Sequence, residues 1–471
     1  MLRIGMILMG DVRHDARVLR EARTLAGIGH HVRLAVVGSG DGSAAGPVVG
    51  ESPFDVVEVA LRIALPAHVQ WLWRPWRLRR RIDEACREAL RRGVRGWLTI
   101  VVLGAAIIAS LPWIAARGVL QIALRAIGRS GSGVDWLLWW RYVVGEWGVR
   151  AGRAVGSVDV WHAHDLPGLI ATAAATAQSG AIRPLVVYDS HEIYLEARTN
   201  GQRPRWARRI VAGRERRLAG RAFALVTVNS AVATELNRRI EPRRTVVVHN
   251  CPPRWSPPPT RRNQLRVVTG IPSESPVILY HGGFLPHRGL AEVAEAILEP
   301  GLERAHLVYL GFGRERPALE RLAADRRFDS RVHVLRPVPP EQLLEWIAGA
   351  DVDVMAIAPS TLNHRLSTPN KLFESLAAGV PVVVSDLAGM RGIVCDDPAG
   401  PLGSTCDPGD PASIAAAIRS ILDRPAEEQA ALRLRCLEAA HARWNWETES
   451  ERLIALYGDV ERALREPALV R

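Results

Sequence analysis

Lysine is all but missing from this chain. Of 61 basic residues among 471, one is a lysine, Lys371, and every other is an arginine. Arginine carries a planar, permanently charged fork, whereas lysine carries a compact ammonium on a flexible stem. A lone lysine in such a background marks a place where the second shape is needed. Cysteine is also scarce. Cys86, Cys251, Cys395, Cys406 and Cys436 are scattered, with no CxxC pair and no Cys/His ligand spacing. That spacing excludes a disulfide framework and a structural zinc, and it points to a reducing compartment. No secretory leader is expected, because the apolar run at residues 4–9 is short, lacks a cleavage site and reads as a buried first strand. What is in excess is positive charge. A net +12 asks for an anionic partner: nucleic acid, acidic lipid or a phosphorylated substrate. No nucleic-acid partner is expected, since the arginines are spread over helices and an insertion without interleaved aromatic stacking platforms.

The chain is too long for one hydrophobic core and has the size of two α/β domains. Its first part reads strand 2–9, polar loop 10–15, helix 16–26 and strand 31–37, with a third strand at 56–61. The alternation resumes at Val158, with helix 170–177, strand 185–188, a basic helix 205–221 and strands 225–229 and 245–249. This is the pattern of a doubly wound parallel sheet. A proline-rich stretch, residues 252–262, reads as a linker. A second series follows, with strands at 277–280, 307–310, 332–335, 352–356 and 381–384, the last running to Ser385-Asp386, and helices between and after them. The expected division is 1–255, 256–445 and a terminal helix in 446–471.

Residues 64–156 interrupt the first series. Within them residues 97–116 carry no charge and are bracketed by Arg91, Arg92 and Arg95 before and Arg117 after. That length can span a bilayer. One crossing, however, would place strands of a single sheet on opposite sides of the membrane, so the number of crossings is even or zero. Residues 134–149 are the only candidate return, but Arg141 and Glu146 interrupt them, and Trp136, Trp139, Trp140 and Trp147 suit an interface better. The expected arrangement is a hairpin or helix pair lying in the surface of an anionic membrane on its cytoplasmic side. Trp71, Trp73, Trp76 and the arginines of 77–81 would then sit at the headgroups. A water-soluble helical insertion or a dimer interface is the alternative.

Chemistry concentrates in Ser367-Thr-Pro-Asn-Lys-Leu-Phe-Glu374. Thr368 is expected to cap a helix with Pro369 at its first position, and Gly379 to end it. Lys371 then lies in the first turn and Glu374 at i+3 on the same face. A helix start plus an ammonium suits phosphates, and a carboxylate one turn on suits a pair of neighbouring hydroxyls. A nucleoside diphosphate offers both groups. Gly282-Gly283, leaving a strand ahead of Arg288-Gly289, reads as a phosphate loop on the same edge. Gly311-Phe-Gly313 is a third loop there, or a plain tight turn. In the first half, three strand-end clusters face a cleft: Asp11/Arg13/His14, His162/His164/Asp165 and Asp189/His191/Glu192. Such groups position sugar hydroxyls, act as acid and base, or ligate a metal. No metal is expected, because Arg288, Lys371 and a helix start already compensate a pyrophosphate. His162 reads as a core hydrogen-bonder, placed by alternation opposite His164.

These pieces together resemble the GT-B glycosyltransferases of family 4, the group 1 nucleotide-sugar transferases. The matching stretches are Asp11-Val-Arg13, His162-Ala-His-Asp165, Tyr188-Asp-Ser-His-Glu192, Val226-Thr-Val-Asn229 and Val248-His-Asn250. Tyr280-His-Gly-Gly283 with Arg288-Gly-Leu, Pro369-Asn-Lys-Leu-Phe-Glu374 with Ala378-Gly-Val-Pro, and Trp446-Glu complete the set. The resemblance implies two facing Rossmann-like domains with a hydrophobic helical insertion in the first. It implies that Arg288 and Lys371 hold the leaving diphosphate and Glu374 the donor ribose, with Asn370, Gly282, Gly283 and Gly313 around the nucleotide sugar. His191 would sit beside the transferred sugar, and Asp11, Arg13, His14, His164 and Asp165 would line the acceptor cleft. The last helix would cross back to the first domain. The earlier glutamate of the family's E-x7-E falls at Leu366, so this chain follows the branch reading Asn363-His-Arg…Pro369-Asn-Lys. Gly283 stands where the family has an arginine, which leaves Arg288 and Lys371 to carry more of the charge.

The expected activity is hexosyl transfer from a nucleotide diphosphate sugar to a hydroxyl, with retention and with no cofactor or metal. The acceptor would be a lipid-linked glycan or glycolipid; a catalytically inactive, membrane-tethered partner in glycan assembly is the alternative. Deleting residues 97–116 is expected to release the protein from membrane pellets in a flotation assay; a deletion variant still wholly membrane-bound would refute the anchoring role.

Overall fold

The computed structural model describes residues 1–38, 53–61, 131–177, 183–197, 200–258 and 263–466. They form two parallel sheets flanked by helices, the α/β architecture expected. The first has seven strands: β1 (Arg3–Leu8), β2 (His31–Gly38), β3 (Asp55–Ala60), β4 (Val160–His164), β5 (Leu185–Ser190), β6 (Ala224–Thr227) and β7 (Thr245–Val247). Their order is β3-β2-β1-β4-β5-β6-β7. The second has six: β8 (Val277–Gly283), β9 (His306–Phe312), β10 (Val332–Leu335), β11 (Val352–Met355), β12 (Val382–Ser385) and β13 (Gly403–Cys406), in the order β10-β9-β8-β11-β12-β13. Each sheet is entered at its middle, wound outward one way, and re-entered on the other side of its first strand. The crevice beyond the carboxyl ends of β8 and β11 is therefore a topological switch point, where open parallel sheets take ligands.

Burial explains why these segments are strands. β4, β6, β11 and β12 are buried along their whole length, as expected of parallel strands covered by helices on both faces. In β8, Ile278 and Tyr280 join one hydrophobic cluster and Val277 and Leu279 the other, so the two cores lie on opposite faces of the second sheet. β8 runs on through Gly282 and Gly283, which are its last two residues rather than a loop beyond it. Opposite them in register are Gly311 and Phe312 of β9. A side chain on Gly311 would place its Cβ 1.9 Å from the Gly282 carbonyl oxygen, so these strand ends close on glycine.

By packing the chain divides into one unit of Met1–Tyr188 with Arg198–Phe223, and another of Asp189–Ala197 with Ala224–Arg471. The second unit includes the terminal helix Trp446–Arg465, which lies along β7. There Arg452 Nη1 donates to the Val247 carbonyl at 3.2 Å, and the buried Glu449 accepts from the His249 amide at 2.9 Å. Two short helices, Leu362–Leu366 and Ala388–Val394, and the strand β13 were not expected from the sequence. The first is only five residues long and is started by the Thr361 side chain, which accepts from the His364 amide.

The tryptophan-rich stretch departs from expectation. Residues 131–155 are a helix, Gly131–Trp139, a π-helical turn, Trp140–Val144, and a second helix, Gly145–Val155. Trp136, Trp140 and Trp147 are 5%, 2% and 0% exposed, and Trp147 Nε1 donates to the Val59 carbonyl at 2.9 Å. They are core residues of the first unit, not a lipid interface. Residue type suggested the interface, but the helix face they occupy is turned inward. Gly148 lets this helix approach Asp165–Thr176 so closely that an added Cβ would lie 2.3 Å from the Ala171 carbonyl oxygen. The uncharged run 97–116, with Trp71, Trp73, Trp76 and the arginines of 77–81, lies outside the described residues. Among the described residues no helix is long and apolar enough to cross a membrane.

Gly148→Val must push the two helices apart, and overpacking of this kind costs about 1–3 kcal/mol. Thermal denaturation should show a lowered Tm; an unchanged Tm would show that the helix pair does not pack as described.

Candidate active site

The second unit gathers the residues of the nucleotide stretch at the carboxyl edge of its sheet. The helix runs Asn370–Ala377, with Pro369 at the cap and no side-chain cap. Thr368 does not cap it: its Oγ1 instead accepts from Asn229 Nδ2 at 3.1 Å. The proline therefore sits one position earlier than expected, and the leading N–H groups stay open to an anion. Asn370 is exposed at the first position, and Gly379, with φ 68°, ends the helix region as expected.

Lys371 is only 9% exposed. Its Nζ stands 3.5 Å from the centre of the Tyr280 ring and donates to the His281 carbonyl at 3.3 Å. Among the described residues it forms no ion pair. Burial lowers its pKa to about 7; nearby Arg288 pushes the same way, while Asp353 and Glu374 oppose the shift. Arg288 is half-buried and, among the described residues, makes neither a hydrogen bond nor an ion pair. The next residue, Gly289, has φ 68°, and a Cβ there would lie 2.2 Å from the Ala356 carbonyl oxygen, so this turn needs glycine to close on the β11 end. Two cations thus share one neighbourhood with no carboxylate paired to either among the described residues. Gly313, with φ 146°, abuts the Phe284 carbonyl and belongs to the same edge.

Sequence reasoning missed the groups beneath these cations. His281, 1% exposed, lies between Asp353 and Glu374 at 2.9 and 3.0 Å. Asp353 is fully buried and also accepts from Ser375 Oγ. An aspartate inside the apolar run Val352-Asp-Val-Met355 is the signal that could have found it, since a buried charge has a partner. His364 was also passed over. Its Nδ1 is 2.8 Å from Ser360 Oγ, and burial first, then Arg288, lower its pKa.

His191 belongs to the same unit. Its Nε2 lies 2.9 Å from Asp189 Oδ2, with the carboxylate fully buried. The loop after it is clamped by Asn363, whose Oδ1 accepts from the Ile193 amide at 2.9 Å and whose Nδ2 donates to Ile193 O and Glu192 Oε2. Asn229 caps the helix Ser230–Ile240 and donates to the Leu366 carbonyl at 2.8 Å. Asn363 and Asn229 thus hold both ends of the short helix that precedes Lys371.

In the first unit, Asp11 and Arg13 are exposed and paired with each other at 2.8 Å. His14 closes the same 3-10 turn, Val12–His14, and its side chain is outside the description. His164 is 1% exposed, and Asp165 follows it with φ 54°, a conformation uncommon for a non-glycine residue and often associated with functional sites. His162 is not opposite His164. Strand positions i and i+2 share a face, and the two rings stack with centroids 4.7 Å apart. His162 is fully buried with Nε2 3.3 Å from Glu21 Oε2, in keeping with a core role. The ligand-type atoms of Glu21, His162 and His164 lie within 4.8 Å of one another, close enough for a metal. Arg17 Nε, however, is 3.0 Å from Glu21 Oε1 in an ion pair hidden from solvent, which already neutralises that carboxylate.

Residues 275–424 match the family described as glycosyl transferases group 1, and residues 116–251 match glycosyltransferase family 4. The chain belongs to the group 1 glycosyltransferases. Its two-sheet fold is GT-B. Among solved structures it is similar to sucrose-phosphate synthase from Thermosynechococcus elongatus, with TM-score 0.64, 16% identity and coverage of 98% of this chain and 100% of that one. It is likewise similar to Anabaena HepE in complex with UDP and glucose, with TM-score 0.62, 14% identity and coverage of 98% and 100%. Among curated relatives, the D-inositol 3-phosphate glycosyltransferase of Geodermatophilus obscurus is 32% identical over 55% of this chain and 56% of its own. That of Xylanimonas cellulosilytica is 32% identical over 44% of this chain and 48% of its own. The chain thus spans about half the length of these relatives.

A lysine held near pH 7 by burial will be partly neutral in the free group 1 transferase at pH 7.5. An anion beside it favours the charged form and raises the pKa, so diphosphate binding should draw a proton from solvent. Titration calorimetry with UDP or GDP in buffers of different ionisation enthalpy should show that uptake. Its absence would mean that Lys371 is already fully charged or stands away from the phosphates.

Proposed function

We propose that the protein transfers a sugar from a nucleoside diphosphate sugar to a hydroxyl acceptor, with retention of configuration and without a metal. The observation that carries this reading is the pair Arg288 and Lys371, two neighbouring cations with no ion-pair partner among the described residues, beside an uncapped helix start at the switch point of a parallel sheet. Uncompensated cations at such an edge suit an anion. In a sugar transfer the negative charge that develops is that of the departing diphosphate. Lys371 and Arg288 would hold it, and preorganised charge of this kind is worth more in a dry site than in water. Glu374, one turn beyond Lys371 with its side chain 27% exposed, would accept from the ribose hydroxyls. His191, oriented by Asp189, would stand beside the transferred sugar, and Asn363 would hold its loop. HepE, which shares this fold, is described with UDP and glucose, which supports a nucleotide-sugar donor.

For the acceptor, the uncharged run 97–116 favours a lipid-linked glycan or glycolipid at an anionic membrane surface. The names of the curated relatives favour a second reading, a soluble inositol phosphate. Acceptor assays with both classes separate them.

A thermal-shift panel of UDP-, GDP- and ADP-sugars should single out one donor, because a ligand at 100 times its Kd adds about 2.7 kcal/mol to stability. Lys371→Ala should lose roughly 10²–10³ in kcat while remaining folded, and Glu374→Ala should raise the donor KM. An active Lys371→Ala protein, or a panel in which no nucleotide sugar shifts the Tm, would sink the transferase reading.

A further inference from the structure

One buried side chain joins the three elements of the site, and the reading above leaves it without a task. His281, near the end of β8, sits between Asp353 of β11 and Glu374 of the Asn370–Ala377 helix. Its Nδ1 is 2.9 Å from Asp353 Oδ2 and its Nε2 is 3.0 Å from Glu374 Oε2. We propose that His281 is a positioning residue that works as a doubly protonated imidazolium, bridging the two carboxylates so that Glu374 is held for the donor's ribose hydroxyls. This inference rests on the nucleotide-sugar reading of the site.

The argument is one of donors and acceptors. A neutral imidazole has one N–H and one lone pair, and an ionised carboxylate can only accept. With a carboxylate at each nitrogen, the neutral ring would turn a lone pair onto an anion. The ring is 1% exposed, so solvent cannot relieve that contact. Protonation removes it, because each nitrogen then carries a proton towards its carboxylate: Nε2 donates to Glu374 Oε2, and Nδ1 stands beside Asp353 Oδ2 as the cation of an ion pair. Asp353 is anchored in turn, since the single hydroxyl proton of Ser375 is donated to it, while the same Oγ lies 2.9 Å from the Lys371 carbonyl oxygen. Ring, aspartate and helix thus form one connected unit. Glu374 gives its Oε2 to His281, and its Oε1 makes no hydrogen bond among the described residues, which leaves it for a ligand.

Charge balance gives the second argument. The groups facing His281 are Asp353 and Glu374, with Lys371 on its carbonyl and Arg288 acting beside Lys371 and Tyr280. Two acids without the imidazolium would cancel Lys371 and Arg288 and leave the edge neutral. With it, the cluster keeps a positive excess for a diphosphate. Burial pulls the imidazole down, but Asp353 and Glu374 outweigh it and raise the ring to about 9. It is therefore charged below about pH 9 and neutral above, a step separate from that of Lys371, at about 7.

The test uses the full chain and the nucleoside diphosphate, and its sugar, that the thermal-shift panel selects. In a spectrum labelled at the histidine carbons, one imidazole should stay protonated past pH 8, and that signal should be absent from His281→Gln. In His281→Gln the donor KM and the Kd for the nucleoside diphosphate should rise roughly tenfold, the scale of one lost charge-assisted hydrogen bond, with kcat within about threefold. The parent should show a rise in donor KM near pH 9, and His281→Gln should lack it. If the single variant fails to fold, His281→Gln with Asp353→Asn keeps hydrogen-bonding groups in place without orphaning a charge, and the same shifts are expected. A His281 ring neutral at pH 7, or a variant whose KM and alkaline profile match the parent, would overturn the proposal. A parent that binds no nucleotide while its imidazolium is still seen would instead overturn the transferase reading.

Discussion

An ammonium buried with no carboxylate partner among the described residues is the constraint on which the second unit depends. Withdrawing such a charge from water costs several kcal/mol unless other groups replace the solvent. Around Lys371 the replacements are weak: the face of Tyr280 and one carbonyl oxygen. Their weakness is what leaves the charge available. A full ion pair would steady the lysine and cancel it, whereas a ring face and a carbonyl hold it in place while its pKa sinks to about 7. An arginine fork in the same space would be larger and could not lose its proton, which gives a physical reason for a lysine here in a chain that otherwise uses arginine.

The surroundings of Lys371 are arranged to keep that ammonium in position. Gly282 and Gly311 face each other one residue before β8 and β9 end, so the two backbones lie close at the edge where phosphates would approach. Phe373, next along the helix, packs edge-on against His249, and His249 is bonded to Glu449 of the terminal helix. The terminal helix therefore braces the Lys371 helix from behind. In front, Asn363 and Asn229 pin the loop that leads into it. Each clamp is an amide that donates and accepts at once, which suits backbone groups that have no ladder partner.

Much of this was legible in the sequence. Alternating apolar runs and glycine stops gave both sheets, and the strand expected at 332–335 matches β10 residue for residue. That Arg288, Lys371 and Glu374 come together near the end of β8 was legible too, because the strand ending in Gly282 and Gly283 and the helix start at Pro369 are local patterns. Trp136, Trp140 and Trp147 were misjudged because tryptophan suits a lipid interface and a protein core equally, and only the helix face decides. His162 was misplaced by counting the strand period as if i and i+2 opposed each other.

The composition, the periodicity and the motif spacing were enough to settle the class of fold and to single out the segment around Lys371, because each depends on neighbours within a few residues. The company these residues keep was not in the string. His281 meets Glu374 across 93 positions, and Asn363 reaches Ile193 across 170. Pairings of that range are set by strand order and helix docking, which bring distant segments to one edge of a sheet. The charge state of His281 and the depressed pKa of Lys371 follow from those neighbours and from exclusion of water, and neither quantity exists until the chain has folded.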